Sequence, residues 1–69
     1  MGTTFGESLK KLRQEKNLTL VELSSKSGVT HIQINNLEKG RCKPSANTLY
    51  KLSRALDVSY DYLFNESLK

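Results

Sequence analysis

The sequence predicts an all-α fold, a compact bundle of five short helices, and three observations carry that reading. Five hydroxyl residues, Thr4, Thr19, Thr30, Ser45 and Ser59, stand where helix N-caps belong. Residues able to take a left-handed stop, Asn17, Gly28 and Gly40, follow the first three of the segments so opened. Apolar residues make up 36% of the chain and recur at helical spacing, one stripe per segment, and no strand candidate survives.

Each element has its own signal. Met1 to Thr3 are expected to be loose. Thr4 and Glu7 match a capping box and open a helix to about Lys16. Phe5, Leu9 and Leu12 form its apolar stripe, and Glu7 and Lys11 a surface pair one turn apart. Thr19 with Glu22 and Thr30 with Gln33 repeat the box. Leu18 with Leu23 and Val29 with Ile34 add a hydrophobic staple to each. Pro44 cannot continue a helix and precedes the cap at Ser45. The helix that follows is expected to bury Leu49, Leu52, Ala55 and Leu56. Asp57 and Val58 make a break, and Ser59 caps a last helix stapled by Val58 and Leu63.

Size and composition narrow the function. Sixty-nine residues suit one domain, taken as 1–69 with an ordered core of about 4–65. A domain this small buries only about 60% of its unfolded surface, so the core is thin. No apolar run approaches the roughly 18 residues of a membrane span, so no membrane partner is expected. The N-terminus shows no secretory pattern. Its Met-Gly-Thr-Thr opening falls short of a myristoylation signal, because Gly6 stands where Ser or Thr is needed. A lone cysteine, Cys42, favours a reducing cytoplasmic setting. With the single histidine, His31, it supplies two metal ligands, short of a structural zinc site. No paired carboxylate, nucleophile beside a base or phosphate-cradling glycine loop points to an enzyme. No cofactor and no small-molecule ligand are implied.

Charge points to a polyanion. The net charge is +4, and from Lys39 to Leu56 there are Lys39, Arg41, Lys43, Lys51 and Arg54 with no acid. The tail beyond Asp57 carries Asp61 and Glu66 against Lys69, so a basic side and a mildly acidic end are expected.

The stretch Thr19 to Gly40, TLVELSSKSGVTHIQINNLEKG, organises the rest. Counted from Leu20, a small residue falls at the fifth position (Ser24) and glycine at the ninth (Gly28). Apolar residues fall at the fourth, tenth, fifteenth and eighteenth (Leu23, Val29, Ile34, Leu37). This pattern resembles the helix-turn-helix of phage repressor and Cro-type regulators, the XRE family. The segments Pro-Ser-x-x-Thr-Leu and Leu-Asp-Val-Ser-Tyr-Asp-Tyr-Leu extend the resemblance over about Phe5 to Phe64.

The resemblance implies a repressor-like bundle and a cytoplasmic, prokaryotic or phage-encoded, nucleoid-associated regulator. It would bind a palindromic double-stranded DNA operator as a homodimer. The base-reading positions carried over are His31, Ile32, Asn35 and Asn36. Asn36 suits adenine, Ile32 a thymine methyl, and His31 a guanine acceptor. Thr19, Thr30, Gln33, Lys39, Arg41, Lys43 and Ser45 would contact phosphates. One departure is Leu20, where relatives often carry a polar phosphate-binder. Arg13 and Glu38 are carried over as a structural ion pair. The aromatic end, Tyr60, Tyr62, Phe64 and Leu68, is the candidate dimer surface. The alternative is an antitoxin-like or adaptor module that uses the same fold to hold another protein.

Overall fold

The computed structural model describes residues 4–68 and contains α1 (Phe5–Glu15), α2 (Leu20–Ser27), α3 (His31–Glu38), α4 (Ala46–Leu56) and α5 (Tyr60–Ser67). The looseness expected of Met1 to Thr3 lies outside the described residues. The five expected caps all stand at helix starts in extended backbone, and each hydroxyl accepts the amide three residues on. Such a bond satisfies one of the amides that a helix start leaves without an intrahelical partner.

The boxes differ in how far they close. Thr19 and Glu22 make the full reciprocal pair, with Thr19 N–H donating to Glu22 Oε1 at 2.9 Å and Glu22 N–H to Thr19 Oγ1 at 3.1 Å. At Thr30 only the hydroxyl half forms, because the Gln33 amide turns away toward α4. At Thr4 the Glu7 carboxylate accepts from the hydroxyl, at 3.3 Å, rather than from the amide. Glu7 is thereby turned back, and among the described residues no ion pair joins it to Lys11.

Helix ends follow the expected stops. Asn17 has φ 58°, Gly28 φ 79° and Gly40 φ 74°, all left-handed. After α3, Gly40 N–H reaches Leu37 O and Arg41 N–H reaches Asn36 O, closing the last carbonyls of the helix. Asp57 ends α4 in the same left-handed region, at φ 57°, a conformation short polar side chains tolerate best after glycine.

The core is built from the stripes. Leu9, Leu23, Ile34, Leu37, Leu52, Leu56 and Leu63 are fully buried, so every helix contributes at least one side chain. Leu12, Leu18, Leu20, Ala55, Val58 and Tyr60 pack around them. Leu20 thus spends its side chain on the core. α3 lies on α1 and α2, α2 on α4, and α4 and α1 on α5.

Three long-range contacts set how α1 sits against α3 and α5. Arg13 Nε and Nη2 donate to the Glu38 carboxylate at 2.7 and 3.1 Å, and Nη1 donates to Leu18 O at 2.8 Å. Both side chains are largely buried, 12% and 5% exposed. The Glu38 hydrogen bond raises the Arg13 pKa, so the guanidinium stays charged. Gly6 is the second contact. A methyl group there would run into the carbonyl oxygens of Leu37 and Glu38, so the start of α1 crosses the end of α3 backbone to backbone. The third is Ser8 Oγ, which donates to Glu66 Oε1 at 2.6 Å and ties α1 to α5. Glu66 is buried there, so it is not part of an exposed acidic end; the acids on that surface are Asp57 and Asp61.

Arg13→Ala should strand the Glu38 carboxylate and lower unfolding stability by about 3 kcal/mol. Replacing Arg13 and Glu38 together with apolar residues should cost less, since no unpaired charge is left behind. Urea unfolding of both variants measures this. A double variant less stable than Arg13→Ala, or losses that simply add in a cycle completed with the Glu38 single variant, would show that the pair is not energetically coupled.

Candidate nucleic-acid interface

The interface candidate begins with the periodicity of α3. Positions 34 and 37 turn Ile34 and Leu37 inward, both essentially unexposed. At 100° per residue, positions 31, 32, 35 and 36 then share the opposite side. His31 and Ile32 are exposed, Ile32 by 63%, and Asn35 and Asn36 are half-buried. An isoleucine left this open on a helix whose neighbours are polar leaves apolar surface in water, which its own domain does not use.

The corner that presents this row is local in origin. Gly28 N–H reaches Ser24 O at 2.9 Å, and Val29 N–H reaches Ser27 Oγ at 3.1 Å, so the link has its own hydrogen bonds. Leu23, Val29, Ile34 and Leu37 fill the inside of the corner, and Ser24 is half-buried beside them.

Beyond α3, the loop from Lys39 to Lys43 is exposed throughout, Cys42 included. It leads through Pro44 to the Ser45 cap of α4. The amino ends of α3 and α4 are electrostatically alike, since neither has an acid in its first turn. That of α2 differs. Its N-cap amide already donates to Glu22, whose carboxylate is held below the ordinary glutamate range, first by the Thr19 amide and next by the Thr19 hydroxyl. A helix start that holds a carboxylate is a poorer anion site than one that does not. Thr30 and Ser45 therefore offer cleaner anion positions than Thr19.

The structure brings His31, Ile32, Asn35 and Asn36 onto one face, and Arg13 against Glu38. Gln33 is placed differently from the other phosphate candidates. Its Nε2 donates to Thr48 Oγ1 at 3.4 Å, toward α4. The aromatic end does not form one patch. Tyr60 and Phe64 stack at 5.9 Å one turn apart, with Phe64 and Leu68 exposed. Tyr62 lies on another side of α5, lining a groove with Ser8 and Lys11 of α1. Two residues apart is about 200° of helix, which separates Tyr62 from its neighbours. Sequence reasoning missed Gly6, Ser8 and Thr48. The signals were thin: a glycine in a first turn, and two small hydroxyl residues beside apolar positions.

Among the described residues no group of three or more His, Cys, Asp or Glu could hold a metal, and no helix is long and apolar enough to cross a membrane.

Two helices braced at this corner, with a polar row outward, define a helix-turn-helix. The chain belongs to the helix-turn-helix family HTH_3, of the XRE type, whose model matches residues 9–63. The family is a DNA-binding transcriptional-regulator fold and not an enzyme family. Among its relatives is y4dJ of Sinorhizobium fredii, an uncharacterized HTH-type transcriptional regulator. The two are 42% identical over 60 residues, covering 87% of this chain and 78% of that one. The chain spans about half the length of two Bacillus subtilis relatives, YqaE and the repressor RghR. SinR, the master regulator for biofilm formation, has been solved in complex with DNA; it superposes with a TM-score of 0.83 at 35% identity, over 88% of this chain and 98% of that one. The P22 c2 repressor bound to a synthetic operator superposes at 0.85 and 28% identity, over 94% and 98%.

The Glu22 contact predicts a titration. Because its carboxylate is depressed, the stability it contributes is present at neutral pH and fades as the pH falls through that lowered value. The Thr19 amide resonance should therefore titrate at a pH below that of an ordinary glutamate, and Glu22→Gln should abolish the titration. A midpoint at the ordinary value would remove the Thr19–Glu22 contact from the account.

Proposed function

We propose that this chain binds double-stranded DNA sequence-specifically and acts as a transcriptional repressor, α3 entering the major groove at one half of a palindromic operator. The observation that carries this reading is the outward row His31, Ile32, Asn35 and Asn36 beside a basic loop free of acids. In this reading Asn36 pairs with adenine N6 and N7, Ile32 covers a thymine methyl, and His31 meets a guanine acceptor. Asn35 flanks them. Lys39, Arg41 and Lys43 neutralise phosphates, and the amino ends at Thr30 and Ser45 accept phosphate oxygens, with Thr19 a weaker third. The phosphate contacts hold register and the row reads bases.

The reading extends to a homodimer on the operator, with half-sites about 34 Å apart, one turn of DNA. Phe64 and Leu68, exposed beside the Tyr60 stack, are the surface offered for that pairing. SinR solved in complex with DNA and the P22 c2 repressor in complex with a synthetic operator, both similar to this chain, support the DNA partner.

The test is a selection of bound duplexes from a random pool, followed by affinity measurements at two salt concentrations. Affinity should fall steeply with salt, because released counterions drive binding. Asn36→Ala should cost about 1–3 kcal/mol on the selected duplex and little on random DNA. Lys43→Ala should weaken both alike. No enrichment in the selection, with Asn36→Ala binding as wild type does, would reject sequence-specific recognition.

A further inference from the structure

Gln33 occupies the first turn of the base-reading helix, yet its amide is tied sideways. Its Nε2 reaches Thr48 Oγ1 at 3.4 Å, a long bond, and Thr48 is almost fully buried, 6% exposed. Thr48 Oγ1 also accepts from Ser45 Oγ at 3.0 Å, and Ser45 Oγ in turn accepts Thr48 N–H at 3.2 Å. The Ser45 hydroxyl is the cap of α4. One chain of hydrogen bonds therefore runs from α3 to the amino end of α4. It joins two helices that the apolar core links mainly through α2, since α2 packs on both.

On the reading that α3 meets bases and the start of α4 meets a phosphate, that chain has a consequence. We propose that Gln33 is a positioning residue. Through Thr48 it couples the base-reading row of α3 to the phosphate-facing cap at Ser45, so that the two contacts are made in one register. A side chain held by Thr48 is oriented along the protein rather than out toward a phosphate. The same bond removes rotational freedom from the first turn of α3, where His31 and Ile32 project. An ordered first turn meets base edges without first being immobilised, which is where the specific affinity is gained.

The coupling acts on discrimination, not on attraction to DNA in general. Random duplex needs no register between base edges and phosphate, so it does not draw on the Gln33–Thr48 bond.

The experiment compares affinity for the selected duplex with affinity for a random duplex, in wild type, Gln33→Ala, Thr48→Val and the double variant, with thermal stability recorded for each. A single neutral hydrogen bond sets the scale, so Gln33→Ala should lower affinity for the selected duplex about fivefold and leave random DNA unchanged. Thr48→Val should do the same, and the double variant should be no weaker than either single one. Thr48→Ser keeps the hydroxyl and should restore wild-type discrimination, which separates the bond from packing. Equal losses on both duplexes, additive losses in the double variant, or Gln33→Ala behaving as wild type would each overturn the proposal. A wild-type protein that makes no distinction between duplexes would instead overturn the DNA-recognition reading beneath it.

Discussion

The placement of α3 depends on the guanidinium of Arg13. Its planar fork takes both oxygens of Glu38 and still reaches the carbonyl of Leu18. One side chain thus fixes α1, the link into α2 and the end of α3. A lysine could not do this, because a single ammonium lacks the fork that matches a carboxylate edge to edge. Two buried charges would be a liability alone, and here each satisfies the other. Gly6 permits the arrangement. With any side chain there, α1 could not come close enough to the last turn of α3 for Arg13 and Glu38 to keep their geometry.

With the far end of α3 held, its near end is free to be polar and open. The inward residues Ile34 and Leu37 close the corner, and His31 and Ile32 are left exposed on the outward row. The two ends of α3 are supported differently. Glu38 is gripped by a charge pair, whereas the first turn is tied by the uncharged Gln33–Thr48 bond. The charge pair therefore sets where the helix points, and the first turn keeps His31 and Ile32 exposed for the proposed DNA contact.

The helix starts carry a second division of labour. At α2 the Glu22 carboxylate already takes the N-cap amide, so that start is stabilised from within. At α3 and α4 the first turns hold no acid, and the loop between them is basic. At the amino end of α4, helix dipole and the charge of the preceding loop thus have the same sign. The glutamate that strengthens α2 and the missing acids of α3 and α4 are the same physical effect used in opposite ways.

Much of this was legible in the chain. Thr19 and Glu22, Leu18 and Leu23, Gly28, and Pro44 before Ser45 act within a few residues, so their identities determine helix starts, stops and the corner before any packing occurs. The inward or outward sense of Ile34, Leu37, Ile32 and Asn36 follows from helical period alone. Family resemblance supplied Arg13 with Glu38, because 25 residues of separation leave no local trace. Only the tertiary structure decided that Glu66 is buried on Ser8, that Gly6 faces a carbonyl, that Tyr62 parts from Phe64, and that Gln33 turns to Thr48. Those outcomes depend on how helices distant in sequence cross, and a crossing is settled by the shapes of the packed faces together, not by any one segment.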